Sequence, residues 1–178
     1  MPRNVEIKAK VADAEQLEQL AMALTESYGD IMSQTDTFFI VPHGRLKLRV
    51  LGERQEGQQE GQLIFYHRPD VSGPKLSEFQ TTFVDDAASL LLTLSLALGV
   101  LGVVKKRRKL FMYGQTRIHV DTVEELGSYM ELEVMLTDDQ TLEDGQKIAE
   151  EVMEKLQIKT SDLVTGAYLD SLIHKAAA

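Results

Sequence analysis

Charges recur at every second position in several β-type segments of this chain, and that period constrains the fold more than any other feature. Side chains two apart on a strand share a face. Glu6, Lys8 and Lys10 therefore form one row, and Val5, Ile7 and Ala9 form the other. Arg45, Lys47 and Arg49 oppose Leu46, Leu48 and Val50, while Arg117, His119 and Asp121 oppose Ile118 and Val120. Glu131 and Glu133 alternate with Leu132 and Val134. In the basic segment, either Lys106 with Arg108 or Lys105, Arg107 and Lys109 point the same way. One such strand is ordinary, because a half-solvated antiparallel sheet alternates in the same manner. Several of them, in a chain whose apolar helices need a surface to cover, admit a second solution in which the charged rows face inward.

The remaining segments supply those helices and strands. Residues 4–11 read as a strand feeding a helix that starts at Asp13, and residues 33–41 and 45–51 form a hairpin around Pro42-His43-Gly44. Polar residues 52–61 read as a mobile loop, after which 62–68 and 77–84 resume strand character. Asp85 and Asp86 are placed to cap a helix over 87–98, whose strongly apolar face is expected to be buried. Strands over 103–113, 116–122 and 128–136 follow as antiparallel neighbours. An amphipathic helix over 141–156 and a short one over 164–174 complete the chain. The expectation is an α+β fold: a closed antiparallel β-tunnel of about eight strands with helices packed outside, in a single domain spanning 1–178.

Composition narrows the chemistry. The 178 residues include no cysteine, which excludes disulfides, thiolate metal sites and cysteine nucleophiles. Any metal must use oxygen or imidazole ligands. A net charge of −9 speaks against broad nucleic-acid binding, which needs a basic surface. Residues 1–10 contain no apolar signal core, and the longest apolar stretch, 90–104, is broken by Thr93, Ser95, Gly99 and Gly102. A soluble, cytoplasmic protein without membrane contact is expected. There is no phosphate-cradling glycine loop, so phosphate would have to be bound by side chains.

An inward-facing set of rows gives a wall rich in Lys and Arg with a few carboxylates. Such a wall is costly to keep dry and empty. Arginine forks match phosphate oxygens, lysine supplies a point charge, and carboxylates hold Mg²⁺ or Mn²⁺ that bridges phosphates. The combination suits a triphosphate with its metal.

The same residues resemble the CYTH family, the triphosphate tunnel metalloenzymes, which includes class IV adenylyl cyclases and thiamine triphosphatases. Glu6-Ile7-Lys8-Ala9-Lys10 is similar to the family's opening Glu-x-Glu-x-Lys, with Lys8 in place of the second Glu. Arg49 resembles the phosphate-binding arginine, and Lys106-Arg107-Arg108 followed by Phe111 resembles the Lys-x-Arg strand. Asp121, Glu131 and Glu133 resemble the late acidic cluster that holds metal. Where many members place a Lys two before a Pro, this chain has His67-Arg68-Pro69, which leaves Arg68 or Lys75 for that task.

The resemblance implies that Lys10 and Glu6 are catalytic. It implies phosphate binding by Lys8, Lys47, Arg49, Arg68, Lys106, Arg108 and Arg117, and metal binding by Glu131, Glu133, Asp121 and Glu6. The implied activity is metal-dependent hydrolysis of a triphosphate-containing small molecule. Cyclisation of ATP to cyclic AMP and pyrophosphate is the alternative, and a non-catalytic polyphosphate or nucleotide binder is a third reading that Lys8 sustains. No nucleic-acid or membrane partner is expected, and a homodimer stays open. His119 shares a row with Asp121, where contact with phosphate or metal and a structural hydrogen bond are both open. Tyr66 and Phe79 either stack on a ring or pack.

Overall fold

Alternation becomes an inside and an outside because the sheet closes on itself. The computed structural model describes residues 1–52 and 59–177. Among them, eight antiparallel strands form a closed barrel: β1 (Arg3–Lys10), β2 (Asp30–Phe39), β3 (Arg45–Leu51), β4 (Gly61–His67), β5 (Lys75–Val84), β6 (Val100–Tyr113), β7 (Thr116–Val123) and β8 (Gly127–Met135). Their order around the barrel is β1-β5-β4-β3-β2-β6-β7-β8. The mobile loop expected over 52–61 falls mostly on 53–58, which lie outside the described residues.

Among the described residues four α-helices accompany the strands: α1 (Ala14–Thr25), α2 (Ala87–Leu98), α3 (Leu142–Lys155) and α4 (Tyr168–Ala177). Each of the first three starts at a side-chain cap that satisfies a free first-turn amide. Asp13 accepts from Gln16 N (3.1 Å), Asp86 accepts from Ser89 N (3.0 Å), and Thr141 and Asp144 form a reciprocal capping box.

The apolar rows turn outward and are covered by helices. Ile7, Phe111, Ile118 and Leu132 pack with Leu17 and Ala21 of α1, with Val152 and Met153 of α3 and with Leu156 just past its end. Burying each of these side chains other than Ala21 stabilises the barrel by about 1.5–3 kcal/mol. Gly145 lets α3 lie directly on β1, since a Cβ there would collide with the side chain of Val5.

Two helices depart from expectation. Leu90, Leu91 and Leu94 of α2 do pack on Phe39 and Leu48, but Leu92 and Leu96 are 62% and 79% exposed. The helix carries no charge and is apolar on more than one face, so one sheet surface cannot cover all of it. The terminal helix, expected outside, lies across one mouth of the barrel instead. Tyr168 and Leu169 pack with Phe38, Val104, Val123 and Tyr129. Gly102 permits this approach, because a Cβ there would strike Leu169. The segment leading to α4 covers an open edge of β1: Val164 N–H donates to Lys8 O (2.9 Å), and Leu163 bridges to Ala9. Among the described residues no helix is long and apolar enough to cross a membrane.

Candidate functional site

The inward rows enclose a cavity of about 400 Å³. Of the twelve site residues singled out from the sequence, all but Lys10 and Asp121 line it. Strand register explains how they meet. Glu6 stands beside Glu133 and Lys8 beside Glu131 across β1 and β8, while Arg117 and His119 stand beside the same two glutamates from β7. Arg108 neighbours Asp121 across β6 and β7, and Arg49 neighbours Asp36 across β2 and β3.

Two carboxylate centres organise the wall. Asp36 accepts from Arg49 Nε (2.8 Å) and Nη2 (2.9 Å) and from Lys47 Nζ (3.0 Å), with Lys106 Nζ at 3.4 Å. Burial alone would raise its pKa, yet Arg49, Lys47 and Lys106 hold it well below the ordinary carboxylate range. The lysines move the other way. Burial, with Arg108 adding to it, pushes Lys106 down to about 7, and burial beside Arg49 lowers Lys47.

The second centre is Glu131 with Glu133. Arg108 Nη2 lies 3.2 Å and Lys8 Nζ 3.6 Å from Glu131, and Arg117 is 3.9 Å from Glu133. Burial works to raise Glu131, but His119, Lys8 and Arg108 hold it well below its usual value. Burial lowers Lys8 to about 8. Glu6, hydrogen-bonded by Arg68, is raised by its burial and by Glu133 and Glu131, which together outweigh that arginine.

A metal site can be tested against these donors. His119, Glu131 and Glu133 bring one ligand atom each within 4.8 Å of one another. His119 Nδ1 is buried, 3.6 Å from Glu133 and 3.8 Å from Glu131, and has no hydrogen-bond partner among the described residues. Burial beside Arg108 lowers the pKa of His119, which favours the neutral imidazole that a metal requires. An orphaned imidazole nitrogen facing two carboxylates fits one divalent ion.

That cluster shares Glu131 and Glu133 with the expected set, while the other two expected carboxylates are paired with arginines. Asp121 is unavailable, since Arg108 takes both oxygens at 2.8 Å and the Tyr168 hydroxyl donates to Oδ2 (2.8 Å). Glu6 is tied to Arg68 rather than to the cluster. Lys10 continues the Glu6 and Lys8 row but lies past the end of the cavity, exposed beside Tyr129. Of the two candidates for the place before Pro69, Arg68 lines the cavity, whereas Lys75 donates to Val71 O (3.0 Å) and does not.

Asp36 and Tyr168 also line the cavity, and neither stands out in the sequence. The signal for Asp36 was present, because Gln34, Asp36 and Phe38 share one face of β2, but a single carboxylate makes no row. Tyr168 offered none. It reaches the wall through the placement of α4, where its ring lies 4.0 Å from Lys8 Nζ and 5.3 Å from Lys106 Nζ.

No curated protein matches the chain. Among solved structures it resembles the PH1012 protein of Pyrococcus horikoshii OT3, at 24% identity and TM-score 0.75 over 94% of this chain and 98% of that one. It also resembles a Vibrio parahaemolyticus protein provisionally described as an adenylate cyclase, at 17% identity and TM-score 0.76 over 95% and 97%. A chain in the Schizosaccharomyces pombe Mediator head module matches at 8% identity and TM-score 0.64 over 87% and 94%. These likenesses attest the fold. The CYTH domain model matches residues 2–168, and this chain, with its closed eight-stranded tunnel, belongs to the CYTH family.

Proposed function

We propose that the chain binds the phosphate tail of a triphosphate-containing small molecule inside the barrel and hydrolyses it with one divalent ion, Mg²⁺ or Mn²⁺, residues 1–178 acting as a single tunnel domain. The observation that carries this reading is the wall itself, on which seven Lys and Arg side chains line one cavity together with four carboxylates. Cations fixed in a partly desolvated site stabilise charge on phosphoryl oxygens without having to reorganise. Arg49, Arg68 and Arg108 keep guanidinium N–H donors beyond those that Asp36, Glu6 and Asp121 accept, while Lys47 and Lys106 add point charges between them.

His119, Glu131 and Glu133 would hold the ion, which neutralises charge on the phosphate oxygens when bound. An imidazole in the set favours Mn²⁺ over Mg²⁺. Glu6 orients the attacking water. Its raised pKa brings it closer to the range in which a carboxylate can exchange a proton near neutrality. Lys10 takes no part in this scheme.

Phe79 and Phe83 also line the cavity, and Phe83 is 79% exposed. A flat ring on the substrate would stack there, which favours an organic triphosphate over an inorganic one and supports cyclisation of ATP as the second reading. The test is release of phosphate, pyrophosphate and cyclic AMP from ATP, thiamine triphosphate and tripolyphosphate, first with Mg²⁺ and then with Mn²⁺. Phosphate alone is the expected product; pyrophosphate with cyclic AMP would make the chain a cyclase. Tight binding without any product would make it a binder, and absence of binding would end the tunnel reading.

A further inference from the structure

The cavity wall carries seven Lys and Arg side chains against four carboxylates, a formal excess of three cationic residues before any ion enters. Lys8 is the least expected of them, since it stands in the carboxylate-rich part of the wall. Its side chain is 5% exposed, its Nζ donates to Gly166 O at 2.8 Å, and it sits 4.0 Å above the Tyr168 ring and 3.6 Å from Glu131. The main chain is fixed as well, through Lys8 O and Val164 N–H. An ammonium has three donors, and Gly166 O takes only one of them at hydrogen-bond distance. The others remain for Glu131 or for an anion in the cavity.

Glu131 is already shared between Lys8 and Arg108. A divalent ion drawing on Glu131 must compete with both, while among the described residues Glu133 has the half-exposed Arg117 as its one Lys or Arg partner within 4 Å, and Arg108 acts on His119 and Glu133 from farther off. Resting on the triphosphate-tunnel reading, we infer that Lys8 is a built-in cation of the site: a polyphosphate binds the empty tunnel without a divalent ion, and at most one such ion is held, on the His119 and Glu133 side. The ion then serves turnover rather than capture.

The test uses the full chain and inorganic tripolyphosphate, titrated calorimetrically in EDTA and again in Mg²⁺. The expected result is a Kd in EDTA within about threefold of that in Mg²⁺, because charge-assisted contacts from the protein dominate. Lys8→Met should weaken binding in EDTA at least about tenfold, the loss of one such contact. Lys8→Glu should make binding depend on the metal. Counting bound Mn²⁺ by electron paramagnetic resonance should give no more than one ion per native chain. Binding by the native chain only when metal is present, or two bound ions, would overturn the inference while leaving the tunnel reading intact. Binding in neither condition would overturn both. The native-chain comparison needs no variant, so a folding defect in either substitution does not weaken the test.

Discussion

Asp36 and Glu131 line the same cavity, yet they hold their cations differently. Asp36 is 1% exposed and has three cations at 2.8–3.4 Å, so its oxygens are fully engaged. Glu131 is 16% exposed, and its partners stand farther off, from 3.2 Å for Arg108 to 3.8 Å for His119. The tight centre is an anchor that keeps Lys47, Arg49 and Lys106 aimed at the cavity when it is empty. The loose centre is exchangeable, and a ligand or ion can take over part of its coordination. Buried pairs of the first kind are costly to break, because removing one partner strands the others.

The largest expected effect therefore comes from Asp36→Ala. It leaves three cations uncompensated and should cost about 3–5 kcal/mol in urea denaturation. Tripolyphosphate should restore much of that loss by supplying the missing negative charge. Glu131→Ala should cost less than half as much, and an equal cost would break the contrast between the two centres.

His119→Ala removes the ligand atom at the loose centre that has no hydrogen-bond partner among the described residues. Mn²⁺ binding should weaken about 10–100-fold, measured by electron paramagnetic resonance on the folded variant. Retention of full Mn²⁺ affinity would place the ion elsewhere.

Arg117 is 44% exposed and only loosely paired, so Arg117→Ala sharpens the comparison from the other direction. Tripolyphosphate affinity should fall about tenfold while stability stays within about 0.5 kcal/mol of the native chain. A large stability loss would mean that the loose centre is an anchor too.

The smallest effect concerns pH. Lys106 faces Asp36 on β2, Lys47 and Arg49 on β3, Arg108 on its own strand and Tyr168 on α4. With its pKa at about 7 in the empty tunnel, it is mostly neutral at pH 8 and must gain a proton to meet a phosphate. Binding at pH 8 should take up protons, and affinity should fall as pH rises through 7. Calorimetry in two buffers of different ionisation enthalpy reads the uptake directly, and Lys106→Met should reduce it.

Period-two alternation made the faces of the strands legible, and closure of the barrel then decided which face was inside. Depth along the barrel was not legible. Lys10 and Asp121 occupy the correct rows, but one lies beyond the cavity and the other is sealed by Arg108 and Tyr168. A sequence row has no end marker, because the strand period is the same inside the site and past it. The contribution of α4 was hidden for a different reason. A short amphipathic helix looks the same whether it covers an outer face or a mouth, and only the glycine at position 102 hints at close approach.

The barrel is also laced unevenly. β1 joins β5 only over Arg3–Glu6 and Lys75–Glu78, whereas β2 runs beside β6 over nearly its whole length. Beyond Glu6, that edge of β1 is held by residues 163 and 164 rather than by a strand. A closed sheet with one short seam has a preferred place to breathe, and amides along it exchange with solvent ahead of those in the long ladders. Glu6 and Lys75 lie on this seam, and Lys8 borders it. A polyphosphate gripped from both sides would act as a suture, slowing exchange at the seam well before it stabilised the rest of the barrel.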